Sequence, residues 1–564
     1  MRRLALPAPQ LGGGRANLVL AGFSATGKTS AGALAAEVLG MPFVDLDQIV
    51  ELRLGRSLPE IFGTLGERRF RELEAELLAE ATRLSGTVIA TGGGAVLHRE
   101  FAVLGKGAVV LVLTAPPEEI EERLGESSTR PLLGNDPGPQ IRDLLADRAL
   151  AYAAAGAPVD TGQRSISEVA ALVADRYRAE ATEKDQEIKV AGPEWAYTVE
   201  VGEGALDRLD DLLRSQLPWA RRAVVVADQA VVESAGARVG ETLRAAGREV
   251  VALTVVRGEA AKQIAVVAEL WDRFQSLAVN RGDLIVAVGG GAALDAIGFA
   301  AATWARGVPW ATVPTTILAM VDASIGGKVA IDRGGAKNSV GSFHHPRAVV
   351  CDPSLVASLP VQVARDGLAE VVKSATLASP LLLDTLGQAL PLGEDLPPHL
   401  SWLIEQTVRI KAAYVAADPQ DHGVRQSLNL GHTYAHGVEA ASDYLVPHGR
   451  AVAVGLMAAA GLGVELGLTA AGLPAQLREA LDRQGLLAPL DPLDPDRVRA
   501  AVHLDKKWRG GEPAFVVPTP GGATMVSEID LDLALEPLWR QLGEVVSAGR
   551  QLTSGQEGPT GSTP

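Results

Sequence analysis

Leu18-Val-Leu-Ala-Gly-Phe-Ser-Ala-Thr-Gly-Lys-Thr29 decides how the first part of this chain folds. Leu18 to Ala21 is a short apolar run, read as a buried strand. It empties into Gly22-x4-Gly27-Lys28-Thr29, and an Ala-rich helical stretch follows to about Leu39. A glycine-rich loop between strand and helix turns backbone N–H groups and a helix N-terminus toward phosphate. In that pattern Gly22 and Gly27 shape the turn, Lys28 reaches the β/γ oxygens and Thr29 can hold Mg²⁺. The loop calls for a nucleoside triphosphate without naming the acceptor.

Working outward, Thr87 to Thr91 and Ala108 to Leu113 are further apolar runs of strand length, separated by helical stretches. That alternation predicts an α/β domain with a parallel sheet over 16–181. Residues 1–15, rich in Pro and Gly, are expected to be disordered, and a charged linker is expected over 182–191. A second α/β pattern covers 192–353. Its runs Arg222-Ala-Val-Val-Val-Ala-Asp228 and Asp283-Leu-Ile-Val-Ala-Val288 read as buried parallel strands. The second runs into Gly289-Gly-Gly-Ala-Ala-Leu-Asp295, a plausible dinucleotide pyrophosphate loop in a Rossmann-like domain. Beyond Ser354 strand signals fade into Leu- and Ala-rich amphipathic stretches, so 354–545 is expected to be an all-helical domain. Residues 546–564 read as a disordered, low-complexity tail.

Composition narrows the function. The chain of 564 residues exceeds what one hydrophobic core usually organises. A net charge of −16 disfavours nucleic acid or an anionic membrane as partner. Anionic small molecules must then be gripped locally by Arg and Lys. Cys351 is the single cysteine, which precludes an intrachain disulfide and favours a reducing compartment. The opening Met-Arg-Arg-Leu-Ala-Leu-Pro-Ala-Pro lacks the sustained apolar core of a secretory signal. The run Ala451 to Val464 is broken by Glu465 and reads as a buried helix rather than a membrane span. A cytoplasmic location is expected.

Four of the nine histidines fall between His422 and His448. Glu370, His432 and His448 would supply one carboxylate and two imidazoles, leaving a fourth position open, as catalytic zinc is held. From spacing alone, metal would be assigned to His432 and His436, at i and i+4 on one helix face, and that pair remains the physical competitor of the set. Lys328, Lys337, Lys373 and Arg425, with Asp505-Lys-Lys507, are cations among Gly-rich segments of an acidic chain, and they suggest an anion site.

Over roughly 16–180 the motifs Phe43-Val-Asp45-Leu-Asp47, Gly66-Glu-Arg-Arg-Phe-Arg71, Thr91-Gly-Gly-Gly-Ala95 and Thr129-Arg-Pro-Leu-Leu133 accompany the phosphate loop. With them this segment resembles the shikimate kinases. The resemblance implies ATP with Mg²⁺, the ion held by Thr29 and Asp45, with Ser30 and Arg123 also on the nucleotide. It implies Asp47 as catalytic base, Arg71 and Arg148 as carboxylate clamps, and Gly92, Gly93 and Gly94 as a close-packed floor. Arg130 would be the lid arginine, acting with Lys28 on the transferring phosphoryl. Phosphoryl transfer needs in-line positioning and charge neutralisation, and these residue types supply both.

From about 192 to 545 the chain resembles the 3-dehydroquinate synthases, through the motifs already quoted and Leu428-Asn-Leu-Gly-His432 and Pro447-His-Gly449. The resemblance implies NAD⁺ and Zn²⁺ (or Co²⁺), with Glu370, His432 and His448 as metal ligands and His436 beside the substrate phosphate. Asp228, Glu259, Lys262, Gly290, Gly291, Asp295, Thr315, Thr316 and Lys337 would face the cofactor, with Asp322 between cofactor and substrate. Lys328, Asn338, Lys373, Lys411, Arg425, Asn429 and Lys506 would hold the substrate; Lys328, Lys373, Arg425 and His436 carry the catalytic assignments. Arg306 would reach the phosphate across a homodimer. The implied substrates are shikimate in one half and 3-deoxy-D-arabino-heptulosonate 7-phosphate in the other. A related sugar-phosphate cyclase, a polyol dehydrogenase or an inactive dimerisation scaffold are the other readings of the second half. Two positions depart from the family: Leu294 stands where Gly is common, expected to pack beneath the loop, and Arg450 replaces a Glu beside His448.

Overall fold

A computed structural model describes residues 1–11, 14–124, 137–181, 187–334, 336–357, 359–387, 399–504 and 513–554. The chain forms two compact units, Gly14–Gln186 and Met1–Gly13 together with Glu187–Pro564. The first strand, β1 (Arg2–Pro7), belongs to the second unit.

The unit Gly14–Gln186 is a five-stranded parallel sheet of β2 (Asn17–Gly22), β3 (Phe43–Asp45), β4 (Val88–Ala90), β5 (Ala108–Thr114) and β6 (Ala157–Asp160). The order is β3-β4-β2-β5-β6, so the chain leaves β2 toward both sides. Every residue of β2 is buried, which explains its unbroken apolar run. Crevices at the carboxyl end of such a strand are where α/β sheets bind ligands. The helices Lys28–Leu39 and Ile166–Glu180 cover one face, burying Ala31, Ala35, Val173 and Tyr177 against Leu18, Leu20 and Leu111.

The second unit begins its main sheet with β7 (Glu187–Ala191) and β8 (Ala196–Val201), an antiparallel pair. Then come β9 (Arg222–Asp228), β10 (Glu249–Val255), β11 (Leu284–Gly289) and β12 (Trp310–Pro314). A separate hairpin, β13 (Lys328–Arg333) and β14 (Ala336–Phe343), precedes β15 (Ala348–Cys351). The sheet order is β10-β9-β11-β12-β15-β8-β7. Alternation along β9 sends Val224 and Val226 into one core and Ala223 and Val225 into the other. Leu294 packs in the first of these cores, beneath its loop.

The rest is mainly helical. The helices Val361–Ala378, Leu400–Ala417, His432–Ala441 and His448–Glu465 carry most of the expected site residues. In the last, small residues permit close approach: a Cβ at Gly455 would lie 2.2 Å from Gly431 O. No helix among the described residues is long and apolar enough to cross a membrane.

Four expectations need correction. Residues 1–15 were expected to be disordered, yet Arg2–Pro7 is a strand, because the open edge of a distant hairpin supplies backbone partners that its own sequence lacks. That hairpin, β16 (Ala514–Thr519) and β17 (Gly522–Ser527), gives the 354–545 region a three-stranded sheet of order β1-β17-β16 beside its helices. The expected linker 182–191 ends early: Glu187–Ala191 is β7, with Ile188 and Val190 buried in alternation. Residues 182–186 lie outside those described. The helix Leu531–Ser554 runs into the stretch expected as a tail, of which 555–564 lie outside those described.

Candidate active sites

The phosphate loop depends on two backbone conformations that favour glycine. Gly22 has φ 140°, and a Cβ there would lie 2.3 Å from Leu113 O. Gly27, at φ 93°, starts the helix Lys28–Leu39. Lys28 is buried and its Nζ donates to Gly22 O at 2.9 Å and Phe23 O at 2.8 Å. Thr29 Oγ1 donates to Asp45 Oδ2 at 2.6 Å, so the two residues expected at Mg²⁺ touch. Asp45 also caps the helix Leu46–Leu54, accepting from Asp47 N at 3.0 Å. Ser30 is exposed at the start of its helix, and Arg123 is fixed by Thr161 O at 2.7 Å and Glu119 Oε2 at 3.0 Å. The loop, Asp45, Asp47, Gly93 and Arg123 line one cavity of about 570 Å³.

The glycine triplet gives its neighbours room. A Cβ at Gly92 would fall 2.2 Å from Glu74 Oε1 and 2.9 Å from Asp47 Oδ1. One at Gly94 would fall 2.2 Å from Arg71 Nη1. Arg71 is oriented by Glu74 Oε2 at 2.8 Å and Glu67 Oε1 at 3.2 Å. Glu74 is buried and lies 2.9 Å from His98 Nε2. Burial pushes its carboxyl up, but His98 and Arg71 outweigh that and hold it below the usual range. Arg148 donates to Gly93 O at 2.9 Å, joined there by Tyr152 OH at 2.6 Å. Sequence reasoning missed Glu74, His98 and Tyr152. The signal lay in spacing, since Glu74 follows Arg71 at i+3 and Tyr152 follows Arg148 at i+4 on one helix face. Arg130 lies outside the described residues.

In the second unit the carboxyl ends of β9, β11 and β12 converge. Gly289, at φ 156°, lets its strand pass Asp228, whose Cβ would be 2.9 Å from a side chain there. Gly290 and Gly291 open the helix Gly291–Thr303, and Thr316 flanks Gly290, where a Cβ would find Thr316 Cγ2 at 3.5 Å. Thr315 is buried beside it. Asp295 on that helix pairs with Lys262 at 2.8 Å, and Lys262 also donates to Asn338 Oδ1. Burial pushes the Asp295 carboxyl up to about 6 against the pull of Lys262. Lys337 lies 3.7 Å from Glu259 and 3.9 Å from Glu439, over the Tyr444 ring. Glu259, Lys337, Glu439 and His448 line a cavity of about 540 Å³.

Glu370, His432 and His448 come together from three helices, with ligand atoms within 4.8 Å of one another. His432 Nε2 and His448 Nε2 each lie 3.4 Å from Glu370 Oε1. Four ligands at zinc-like bond lengths stand about 3.4 Å apart at the corners of a tetrahedron. The spacing therefore suits a shared cation better than direct hydrogen bonds. Both Glu370 oxygens are buried and neither accepts a hydrogen bond of ordinary geometry, although Lys373 ion-pairs with Oε2. Burial pushes the Glu370 carboxyl up, but Lys373, His432 and His448 outweigh it and hold it well below the usual range. His432 Nδ1 donates to Leu430 O at 3.2 Å, which leaves Nε2 as the lone-pair nitrogen. The His436 ring lies 5.7 Å from that of His432 and stays outside the cluster, so the i, i+4 pair is not the assembled set. Sequence reasoning missed Glu439, whose Oε1 is 3.5 Å from His448 Nδ1. It supplies the carboxylate beside this histidine. Arg450 instead donates to Ala488 O and Pro489 O.

Cations ring the same region. Lys411 Nζ donates to Asp322 Oδ1 and Asp322 O, both at 2.5 Å. Arg425 is buried on the 3-10 turn Val424–Asn429, donating to Gly326 O at 3.1 Å and Pro419 O at 3.0 Å. Lys328 pairs with Asp421 at 2.5 Å, while Asn429 and Arg306 are exposed. Lys506 lies outside the described residues.

Folds and sites together define a chain with two catalytic-type centres, a phosphate-loop phosphotransferase unit and a nucleotide-binding α/β unit whose helical part gathers a cation site. Family profiles match on both: "Shikimate kinase" over residues 24–178, "3-dehydroquinate synthase N-terminal" over 252–366 and "3-dehydroquinate synthase C-terminal" over 367–508. A "3-dehydroquinate synthase" of Thermobifida fusca (strain YX) is 42% identical over 332 residues, 58% of this chain and 89% of that protein. The chain belongs to the 3-dehydroquinate synthase family and carries a shikimate kinase domain in the same polypeptide, a bifunctional kinase and lyase. Among solved structures, ValA (2-epi-5-epi-valiolone synthase) from Streptomyces hygroscopicus subsp. jinggangensis 5008, with NAD+ and Zn2+ bound, is 26% identical. It has a TM-score of 0.57, with 63% of this chain and 99% of that one covered. A 2-deoxy-scyllo-inosose synthase shares the fold at a TM-score of 0.57, 23% identity and the same coverage.

Proposed function

We propose that the front unit transfers the γ-phosphoryl of ATP to the 3-hydroxyl of shikimate. The rear unit would convert 3-deoxy-D-arabino-heptulosonate 7-phosphate to 3-dehydroquinate and phosphate, with NAD⁺ and Zn²⁺ (or Co²⁺). The observation that carries the second half is the assembled Glu370–His432–His448 set, with a buried carboxylate whose Oε1 faces both imidazoles at 3.4 Å. The relatives support the dehydroquinate reading over a related cyclase, since identity to a dehydroquinate synthase is 42% and to the valiolone synthase 26%.

In the front unit Thr29 and Asp45 would hold Mg²⁺, which would neutralise phosphate charge, and Lys28, on Gly22 O and Phe23 O here, would turn to the β/γ oxygens. Asp47 accepts the proton of the attacking hydroxyl. Arg71, braced by Glu74, and Arg148 grip the acceptor carboxylate in a fork that a point charge could not provide.

In the rear unit Glu370, His432 and His448 would hold a divalent ion that would supply a Lewis acid, and bound NAD⁺ would supply the hydride acceptor, for oxidation at C5. Asp228, Glu259, Lys262, Gly290, Gly291, Asp295, Thr315, Thr316 and Lys337 position the dinucleotide. Lys328, Asn338, Lys373, Lys411, Arg425, Asn429 and Lys506 hold the charged ends of the substrate, with Asp322 fixing Lys411. Once C5 is a ketone the neighbouring C6 proton is acidic, and His436, assigned beside the leaving phosphate, assists its elimination. The same hydride then returns to C5, so the cofactor is recycled, and ring opening frees the C2 ketone. The enclosed cage then favours the intramolecular aldol closure by orientation. Two copies pair through this unit, Arg306 of one reaching the phosphate held by the other.

The test supplies the full chain with each substrate set in turn. Shikimate and ATP must yield ADP and phosphoshikimate; the heptulosonate phosphate with NAD⁺ and zinc must yield phosphate and 3-dehydroquinate. Absence of either product contradicts the corresponding half.

A further inference from the structure

Along the chain, the kinase unit Gly14–Gln186 interrupts the synthase unit, which takes in Met1–Gly13 as well as Glu187–Pro564. Strand β1 precedes it and strand β7 follows it, and both belong to the synthase unit. Strand β1 runs antiparallel to β17 in continuous register, Arg2 against Ser527 through Pro7 against Gly522. Ala8 N extends the ladder to Gly521 O at 2.8 Å. Leu6 is the one residue of the strand that is buried, at 2% exposure, while Leu4 remains 46% exposed. The partner strand is shaped for this neighbour. Gly522 has φ 150°, and a Cβ there would lie 2.5 Å from Leu6 O and 2.7 Å from Ala8 N.

Strands β1, β16 and β17 all lie against the 3-10 turn Val424–Asn429. That turn presents Arg425 and Asn429, two of the residues assigned above to the anionic substrate. The Arg425 backbone N–H donates to Asp418 Oδ2 at 3.1 Å and its guanidinium spans Gly326 O and Pro419 O. The turn is therefore held by polar anchors and packed against by the small sheet. Without β1 the sheet would expose the backbone of β17 along an open edge and the turn would lose part of its backing.

We propose that β1 is a clasp that positions the Arg425 turn, so that the strand leading into the kinase unit sets how tightly the synthase unit grips its phosphorylated substrate. This rests on the substrate reading of Arg425 given above. Leu6 and the strand backbone are positioning elements, touching neither substrate nor cofactor.

The test compares the full chain with a deletion of residues 2–9 and with Leu6→Asp. Hydrogen exchange is read at the amides of Val424–Asn429, with KM and kcat for the heptulosonate phosphate and kinase KM for shikimate as internal reference. The clasp predicts lost protection at that turn and a rise of about tenfold in synthase KM, with kcat within about twofold and kinase KM unmoved. A synthetic peptide of residues 1–10 added to the deletion variant should restore both protection and KM. A lower yield of folded enzyme with unchanged KM and unchanged exchange overturns the proposal. Protection lost while KM stays put also overturns it, provided Arg425→Ala raises KM. If Arg425→Ala leaves KM unmoved, the substrate reading has failed, and peptide-restored protection still upholds the clasp.

Discussion

Replacing Glu439 by Gln should loosen the hold of the Glu370–His432–His448 set on a divalent cation without removing any of its three donors. The Glu439 side chain is 8% exposed, with Oε1 3.5 Å from His448 Nδ1 and 3.9 Å from Lys337 Nζ. Burial pushes its carboxyl up, but His448, Lys337 and His436 hold it below the usual range, so it meets the imidazole as an anion. A carboxylate behind a ligating histidine fixes the tautomer, orients the ring and raises the basicity of the other nitrogen. Losing such a partner typically costs 10–100-fold in metal affinity, roughly 1.4–2.8 kcal/mol. Gln keeps the shape and an acceptor oxygen but not the charge, so about tenfold is expected. The assay is competition with a chromogenic chelator on the full chain, alongside phosphate release as free Zn²⁺ is varied. The activity curve should move to higher metal by that factor and regain a near wild-type plateau. An unmoved midpoint, or a plateau that collapses at saturating metal, would refute the reasoning.

Lys28→Ala should abolish ATP-dependent phosphorylation and leave phosphate elimination intact; loss of both would contradict independent units. Gly92→Ala should disable the kinase, because its methyl would sit 2.2 Å from Glu74 Oε1 and 2.9 Å from Asp47 Oδ1. A rise in KM for shikimate of roughly 5- to 150-fold is expected, measured by coupled ADP release, from overpacking worth about 1–3 kcal/mol. Burial pushes the Lys411 ammonium down to about 8 against the pull of Asp322, helped by Arg425 and Lys373. Its charge is therefore lost as pH rises through about 8, and synthase KM should climb there; a flat KM profile up to pH 9 would contradict its role. Since this value lies below that of an ordinary lysine near 10.5, the stability cost is full below about 8 and fades as pH rises toward 10.5.

What could be read from residues alone follows how local each feature is. The phosphate loop is contiguous, so strand, glycines, Lys28 and Thr29 declare themselves together. The strands Arg222–Asp228 and Leu284–Gly289 are buried on both faces and read as unbroken apolar runs. The metal set was harder, because spacing favours His432 with His436, whereas His448 arrives from the next helix. Glu439 had no local signal: it becomes a partner of His448 only when the helices His432–Ala441 and His448–Glu465 pack together. Strand β1 was illegible for a related reason. Its pairing partner lies more than 500 residues away, and its exposed face carries no alternating pattern. Strand β7, in contrast, does alternate at Ile188 and Val190 and was obscured by the charged residues around them.

Metal content and phosphate release measured on the same preparations of wild type and Glu370→Ala test the central claim most directly. Wild type should carry close to one divalent ion per chain and release phosphate from the heptulosonate phosphate with NAD⁺ present. Glu370→Ala should carry none after desalting and release none, while its ATP-dependent kinase rate stays at the wild-type value. Equal metal content and equal phosphate release in the two proteins would contradict the account.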